Sequence, residues 1–152
     1  MQGGCSCGQV RYETTSNLMW VNCCHCTWCQ RESGSAFAVN AMIETDQIRL
    51  IDGRPEPVIV PSASGKGQTV ERCPACKVAL WSHYGGVGPK IAFVRVGTLD
   101  QPNDVKPSVH IYTSTKRPWV QLPADTPSAP EFYNPRELWP AETMSRFMAA
   151  RA

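Results

Sequence analysis

Short runs that alternate apolar and polar residues, together with a few unbroken apolar runs, fill most of the chain before Trp119. Alternation places every second side chain on one face, so these runs predict β-strands rather than helices. The predicted strands span residues 9–13, 19–22, 37–43, 47–51, 57–60, 68–72, 78–81, 90–96 and 109–113. Turn-forming sequences separate several of them, as at Asp52-Gly53 and at residues 64–67. The pattern therefore predicts a mainly β fold.

The other segments have a different composition. Residues 3–8 are rich in glycine and predict a flexible start, and the polar residues 30–35 predict one helical turn that Gly34 ends. Beyond Trp119, the prolines at 123, 127, 130, 135 and 140 predict an extended arm without regular elements. Residues 141–150 have apolar side chains at helical spacing and predict a short amphipathic helix, which either caps the domain or pairs with a second copy in a homodimer. We therefore expect one domain, with its β part in residues 1–122 and its arm and helix in residues 123–152.

Length and charge narrow the class of protein. A chain of 152 residues suits a single domain that buries about two-thirds of its unfolded surface. The net charge of +2, without a block of basic residues, argues against a nucleic-acid partner, and no apolar run is long enough to cross a membrane. Too few residues precede Cys5 for a secretory signal, so we expect a cytoplasmic protein whose thiols stay reduced.

The eight cysteines carry the strongest chemical signal, and they form three groups: Cys5/Cys7, Cys23/Cys24/Cys26/Cys29 and Cys73/Cys76. On an extended chain Cys24 and Cys26 share one face, and Cys29 follows one turn later, while Cys23 points to the opposite face. Three converging thiolates suit a zinc ion, which prefers soft ligands in a tetrahedral set.

The two outer groups supply two thiols each, and each pair needs partners. Joined together they form a four-thiolate site, which is structural and can add on the order of 10 kcal/mol to folding. The middle triplet then keeps an open position, as catalytic zinc sites do, which holds water, hydroxide or a substrate thiol. Cys23 could instead complete that site as a fourth ligand, so the sequence leaves both partitions open.

Several motifs resemble the glutathione-dependent formaldehyde-activating enzymes, in family order from Gly3 to about Trp119. They put seven cysteines in register with the family and lie at 4–8, 10–12, 24–31, 34–37, 73–76, 96–100, 110–111 and 116–119. Ser6 stands where the family often has histidine, which changes no ligand, and the arm after Trp119 has no counterpart that we can map.

This resemblance implies a β-tent of short antiparallel strands stapled by zinc. It implies a structural zinc ion held by Cys5, Cys7, Cys73 and Cys76, and a catalytic one held by Cys24, Cys26 and Cys29. The expected activity is that of a carbon–sulfur lyase, which forms or cleaves an adduct of a small thiol such as glutathione and an aldehyde such as formaldehyde. The alternatives are a non-catalytic binding module with the same fold and, less favoured, a dithiol oxidoreductase that uses Cys73/Cys76.

We assign no catalytic residue beyond the zinc ligands. Arg31, Lys116 and Arg117 are candidates for pairing with the carboxylates of an anionic thiol peptide, with a solvated surface role as the alternative. Trp28 and Trp119 could wall the pocket or pack in the core. The histidines His25, His83 and His110 are expected on strands, and His25 should point away from the neighbouring ligands and make a structural hydrogen bond.

Overall fold

The computed structural model describes all 152 residues and is mainly β, as the sequence pattern predicts. The strands are β1 (Gln2–Gly4), β2 (Arg11–Thr14), β3 (Trp20–Cys24), β4 (Ala38–Glu44), β5 (Ile48–Asp52), β6 (Glu56–Val60), β7 (Gln68–Arg72), β8 (Ala79–Tyr84), β9 (Ile91–Arg95) and β10 (Val109–Ile111). A three-stranded sheet has the order β1-β2-β5, and a seven-stranded sheet has the order β10-β3-β4-β9-β8-β7-β6.

The helices are α1 (Thr27–Ser33), α2 (Pro135–Leu138) and α3 (Ala141–Arg151). The helix α1 begins three residues before the predicted turn, because the Cys26 side chain accepts the backbone N–H of Cys29 and so caps the first turn. It ends as expected at Gly34, whose φ of 67° is the left-handed conformation that glycine adopts freely. None of the helices combines the length and the hydrophobicity needed to span a bilayer.

The largest core cluster lies between the two sheets. Tyr12 of β2 and Trp81 of β8 meet edge to face there, with ring centroids 5.4 Å apart. The strand β9 is buried along its whole length, because Ala92 and Val94 belong to this core while Phe93 on the other face packs near Trp139 of the C-terminal segment. Burial on both faces explains why β9 is the most continuously apolar segment of the sequence.

Two strand pairings differ from what the sequence predicts. The strand β10 pairs with β3 in parallel, with Val109 opposite Asn22, an exception to the antiparallel strands that the resemblance implies. Parallel neighbours need a long connection, and here the strands β4 to β9 lie between the two in sequence. The expected flexible start is partly a strand, since β1 pairs with β2, and Gly3 permits this because a Cβ there would lie 2.6 Å from the Thr98 carbonyl oxygen.

The arm is more ordered than its prolines predict. Pro135 begins α2 instead of breaking it, because proline fits the first helical position, and the Asn134 side chain accepts the N–H of Arg136 as a cap. Earlier in the arm, the backbone runs beside β10: the N–H of His110 donates to the Pro127 carbonyl and the N–H of Ala129 donates to the His110 carbonyl, both at 2.9 Å. The segment therefore continues the edge of the seven-stranded sheet.

The helix α3 packs against the seven-stranded sheet of its own chain. Thr143 is buried and its hydroxyl donates to the Met19 carbonyl at 2.8 Å. Arg146 forms two hydrogen bonds to the carboxylate of Glu44, at 2.8 and 2.6 Å. These contacts place the C-terminal residues over the face of the sheet that carries Met42 and Phe93.

Candidate functional site

Two cysteine pairs that are far apart in sequence meet at one point. Cys5 and Cys7 lie in the turn between β1 and β2, and Cys73 and Cys76 lie in the turn between β7 and β8. Their four sulfur atoms all lie within 4.8 Å of one another, with 3.5 Å from Cys5 to Cys7 and 3.7 Å from Cys7 to Cys73. Four sulfurs at 2.3 Å from a tetrahedral zinc ion are about 3.8 Å apart, so this donor set fits zinc.

The backbone around these thiols favours their charged form. Burial opposes ionisation of Cys5, but the N–H of Val10 donates to its sulfur at 3.3 Å, and the net pKa is lowered. The backbone N–H groups of Val78 and Cys7 lower the pKa of Cys76 to about 6. At Cys7 the backbone N–H of Gln9 also acts in this direction, but the hydrogen bonds with the other thiols, together with burial, outweigh it and the pKa of Cys7 is raised to about 11. A metal ligand must be a thiolate, so Cys5 and Cys76 are the thiols that the backbone prepares for metal binding.

The second thiol group is a triplet. Cys24 ends β3, Cys26 caps α1, and Cys29 lies in the first turn of α1, so the strand-to-helix junction brings them together. Their sulfur atoms lie within 4.8 Å of one another, and all three residues are buried. The set supplies three soft ligands, which fits a zinc ion with one position left for another ligand.

The charges within the triplet are shared unequally. Hydrogen bonds from Cys24 and Cys29 lower the pKa of Cys26 to about 3, and the same contacts raise the pKa of Cys24. The hydrogen bond with Cys24 lowers the pKa of Cys29, but Cys26 and burial outweigh it and raise that pKa to about 11. The charge of Arg95 acts in the lowering direction and is the weakest of these influences. The guanidinium of Arg95 is buried and held by the oxygens of Asn40 and, at 2.8 Å, Ser82.

Arg95 was not predicted from the sequence. It lies within the apolar run 91–96, and a cation in such a run signals a specific partner, because a charge is seldom buried without one. In the structure that role falls to Asn40 and Ser82, and the charge of Arg95 favours the thiolate of Cys29 only weakly.

Cys23 belongs to a different cluster, with His25 and His110, on the other side of β3. Nε2 of His25 lies 3.0 Å from Nδ1 of His110 and 3.7 Å from the Cys23 sulfur. Burial, and then the charge of His110, lower the pKa of His25 to about 4, so the pair is neutral at pH 7. This buried hydrogen bond joins the segment after β3 to β10. The structure therefore does not bring Cys23 to the triplet.

A cavity of about 500 Å³ lies in front of the triplet. One wall comes from the seven-stranded sheet, with Met42, Tyr84 and Phe93, and the facing wall comes from the arm and α3, with Trp139 and Phe147. Trp28 also lines this cavity, which is the first of the two roles predicted for it, a pocket wall or core packing.

The other predicted thiol-binding residues lie elsewhere. Arg31, Arg117 and Trp119 line a separate polar cavity of about 510 Å³ beside α1. The amino group of Lys116 donates to the Val120 carbonyl at 2.6 Å. None of these four residues lines the cavity of the triplet, so their binding role stays a prediction from the sequence. His83, on β8, has its Nδ1 3.0 Å from the Ile91 carbonyl oxygen.

Comparisons with known proteins agree with this arrangement. The model of the family described as glutathione-dependent formaldehyde-activating enzyme matches residues 1–115. No curated protein matches the chain. The crystal structure of a Rhodobacter sphaeroides protein, from a structural genomics programme, is similar with a TM-score of 0.53 and 18% identity, over 85% of this chain and 100% of that one; at this identity the likeness concerns the fold alone. The family match covers well over half of the 152 residues, and the chain therefore belongs to the glutathione-dependent formaldehyde-activating enzyme family.

Proposed function

We propose that the protein is a zinc-dependent enzyme that forms or cleaves a thiol–aldehyde adduct of the S-hydroxymethylglutathione type, a carbon–sulfur lyase. The observation that supports this most directly is the contrast between the two thiol groups. Four thiols form a set that can close around a metal ion, whereas the three buried thiols of the triplet face a cavity. Closed thiolate sites are structural, and sites with an open position are catalytic.

In this proposal each chain holds two zinc ions. The structural ion is held by Cys5, Cys7, Cys73 and Cys76, and the catalytic ion by Cys24, Cys26 and Cys29. A zinc ion at the triplet would supply a position at which a substrate sulfur stays a thiolate at neutral pH. The eight cysteines are all unpaired, which agrees with the expected reducing cytoplasm.

The reaction needs no oxidant or reductant. In the forward direction the sulfur electron pair forms a bond to the carbonyl carbon, the carbonyl π pair moves to oxygen, and that oxygen takes up the proton that the thiol released. In the reverse direction the hydroxyl loses its proton, its oxygen re-forms the carbonyl double bond, and the electron pair of the carbon–sulfur bond returns to sulfur as the aldehyde leaves.

The chain itself contributes position and charge. Three thiolates on a divalent ion would leave about one negative charge, and the charge of buried Arg95 would act weakly against it. The cavity walls limit the approach of water and fix the sulfur against the carbonyl carbon, an effect of orientation rather than of strong polarisation.

Cobalt substitution tests the proposal. Cobalt at a thiolate site absorbs strongly, and an added thiol that binds the metal should strengthen the sulfur-to-metal absorption. We expect this response with glutathione or phenylmethanethiol, and none with their hydroxyl analogues. The Cys26→Ser variant is the control and should lose the response.

If no thiol changes the spectrum of the unaltered protein, the triplet has no exchangeable position. The protein would then be the alternative, a zinc-stabilised binding module. Because the addition also proceeds without an enzyme, turnover must be compared with that of the metal-free protein.

A further inference from the structure

The cavity at the triplet is more apolar than a binding site for glutathione needs to be. Besides the three thiols, 12 of its 25 lining residues are apolar, and seven of these 12 are aromatic. Glutathione carries two carboxylates and an ammonium group, each of which needs a polar or charged partner when it leaves water. The cavity has no aspartate, glutamate or histidine in its lining to receive the ammonium group.

Polar side chains close to the thiols are already occupied by the protein. The Oδ1 of Asn22 accepts the Tyr133 hydroxyl at 3.0 Å, and that hydroxyl accepts the indole N–H of Trp139 at 2.9 Å. The Oδ1 of Asn40 accepts the guanidinium of Arg95. The oxygens of both amides are therefore occupied, and the buried polar atom of the lining that has no partner is Oε1 of Gln68.

The apolar wall comes from a part of the chain outside the family match. Phe132, Trp139, Met144 and Phe147 all line the cavity, and all follow residue 115, where the match ends. The thiols and the sheet wall thus lie in the matched segment, while the facing wall is supplied by the arm and the last helix.

Two cations complete the lining. Lys66 and Arg136 are exposed, lie at the cavity, and form none of the salt bridges of the structure. With no acidic residue in the lining of the cavity, they suit a ligand carboxylate.

We propose that the cavity binds the adduct of an apolar thiol, with an aromatic or branched-alkyl body and a single carboxylate, in preference to a glutathione adduct. The volume of about 500 Å³ lies in the range of pockets for small ligands. That this ligand is a substrate rests on the proposed function; the preference itself rests on the cavity.

Calorimetric titration of the zinc-loaded full chain tests the preference with ligands that lack a free thiol. We expect 4-phenylbutanoate to bind at least about tenfold more tightly than S-methylglutathione, because its aromatic ring leaves water for an apolar wall. Equal affinities, or tighter binding of S-methylglutathione, would overturn the inference.

Two variants locate the binding site. Phe132→Ser removes a half-exposed wall residue and should weaken 4-phenylbutanoate about tenfold, with little effect on S-methylglutathione. Arg136→Gln should weaken 4-phenylbutanoate but not 4-phenylbutan-1-ol. Ile59→Ser is the matched control, because Ile59 is 84% exposed on β6 and outside the cavity lining. A loss of affinity in the control equal to that in Phe132→Ser would contradict the assignment.

A turnover assay with the formaldehyde adducts of phenylmethanethiol and glutathione separates this inference from the proposed function. Turnover of the glutathione adduct together with binding that favours S-methylglutathione would keep the function and overturn the preference. Binding that favours 4-phenylbutanoate without turnover of either adduct would keep the preference and overturn the function.

Discussion

Replacing one cysteine of the four-thiol set should abolish folding, whereas replacing one cysteine of the triplet should leave the fold intact. We expect Cys73→Ser to abolish cooperative folding. We expect Cys26→Ser to keep the fold, lose the metal of the triplet and lose all turnover.

The difference in magnitude follows from what each residue contacts. Cys73 is fully buried in the main core, and its site joins turns that are 66 residues apart in sequence. Structural zinc contributes on the order of 10 kcal/mol to folding, which is comparable with the whole stability of a domain, about 5–15 kcal/mol. An incomplete site at Cys73 therefore leaves little or no net stability.

Cys26 has a milder structural role, as the N-cap of α1. Serine is among the preferred N-cap residues, so its hydroxyl can accept the N–H of Cys29 in place of the sulfur. The change should cost no more than about 1 kcal/mol through the cap.

The assay combines urea denaturation, followed by circular dichroism, with zinc analysis. Cys26→Ser should show a cooperative transition and one zinc ion per chain, while Cys73→Ser should show no transition. Cys23→Ser is the control and should keep both ions, because Cys23 lies in the separate histidine cluster. An equal loss of folding in Cys26→Ser and Cys73→Ser would refute the division into a structural and a catalytic site.

Other contacts lead to further tests. Gly53→Ala should destabilise by at least about 2 kcal/mol in urea denaturation, because Gly53 has a φ of 62° and a Cβ would lie 2.1 Å from the Gln9 carbonyl oxygen. Gly65→Ala, also at positive φ but in open space, should cost less. Arg146→Met should lower the free energy of unfolding by about 1–3 kcal/mol, because it removes the partly buried ion pair with Glu44. A double-mutant cycle with Glu44→Gln measures the coupling between the two residues. Additive effects of the two substitutions would show that the pair contributes no coupling energy. Elemental analysis of protein purified without chelator should find close to two zinc ions per chain; one ion, or iron instead of zinc, would contradict the two-site proposal.

The features that the sequence predicts well are local. Alternation over a few residues reflects burial on one face of a strand, so most strands lie where they were expected. The opposite orientations of Cys23 and Cys24 follow from the same period of two residues.

The features that the sequence does not predict depend on contacts between distant segments. The parallel pairing of β10 with β3 is set by the path of six intervening strands. The roles of Arg95 and His110 depend on neighbours that are distant in sequence: Asn40 binds the first and His25 binds the second. Periodicity indicates which face of an element is buried, but it does not indicate which other segment packs against that face.

The arm shows this limit most clearly, and it also bears on specificity. Its prolines hide any periodic pattern, so Phe132 and Trp139 give no signal of the surface that they cover. In the fold the arm follows β10 and then closes over the sheet beside the triplet, where both aromatic residues line the cavity. A segment that lies outside the family match therefore forms one wall of the cavity, and the sheet within the match forms the other. In the proposed enzyme, two members of the family could share every thiol and still differ in the adduct that they bind, because that one wall comes from a part of the chain separate from the thiols.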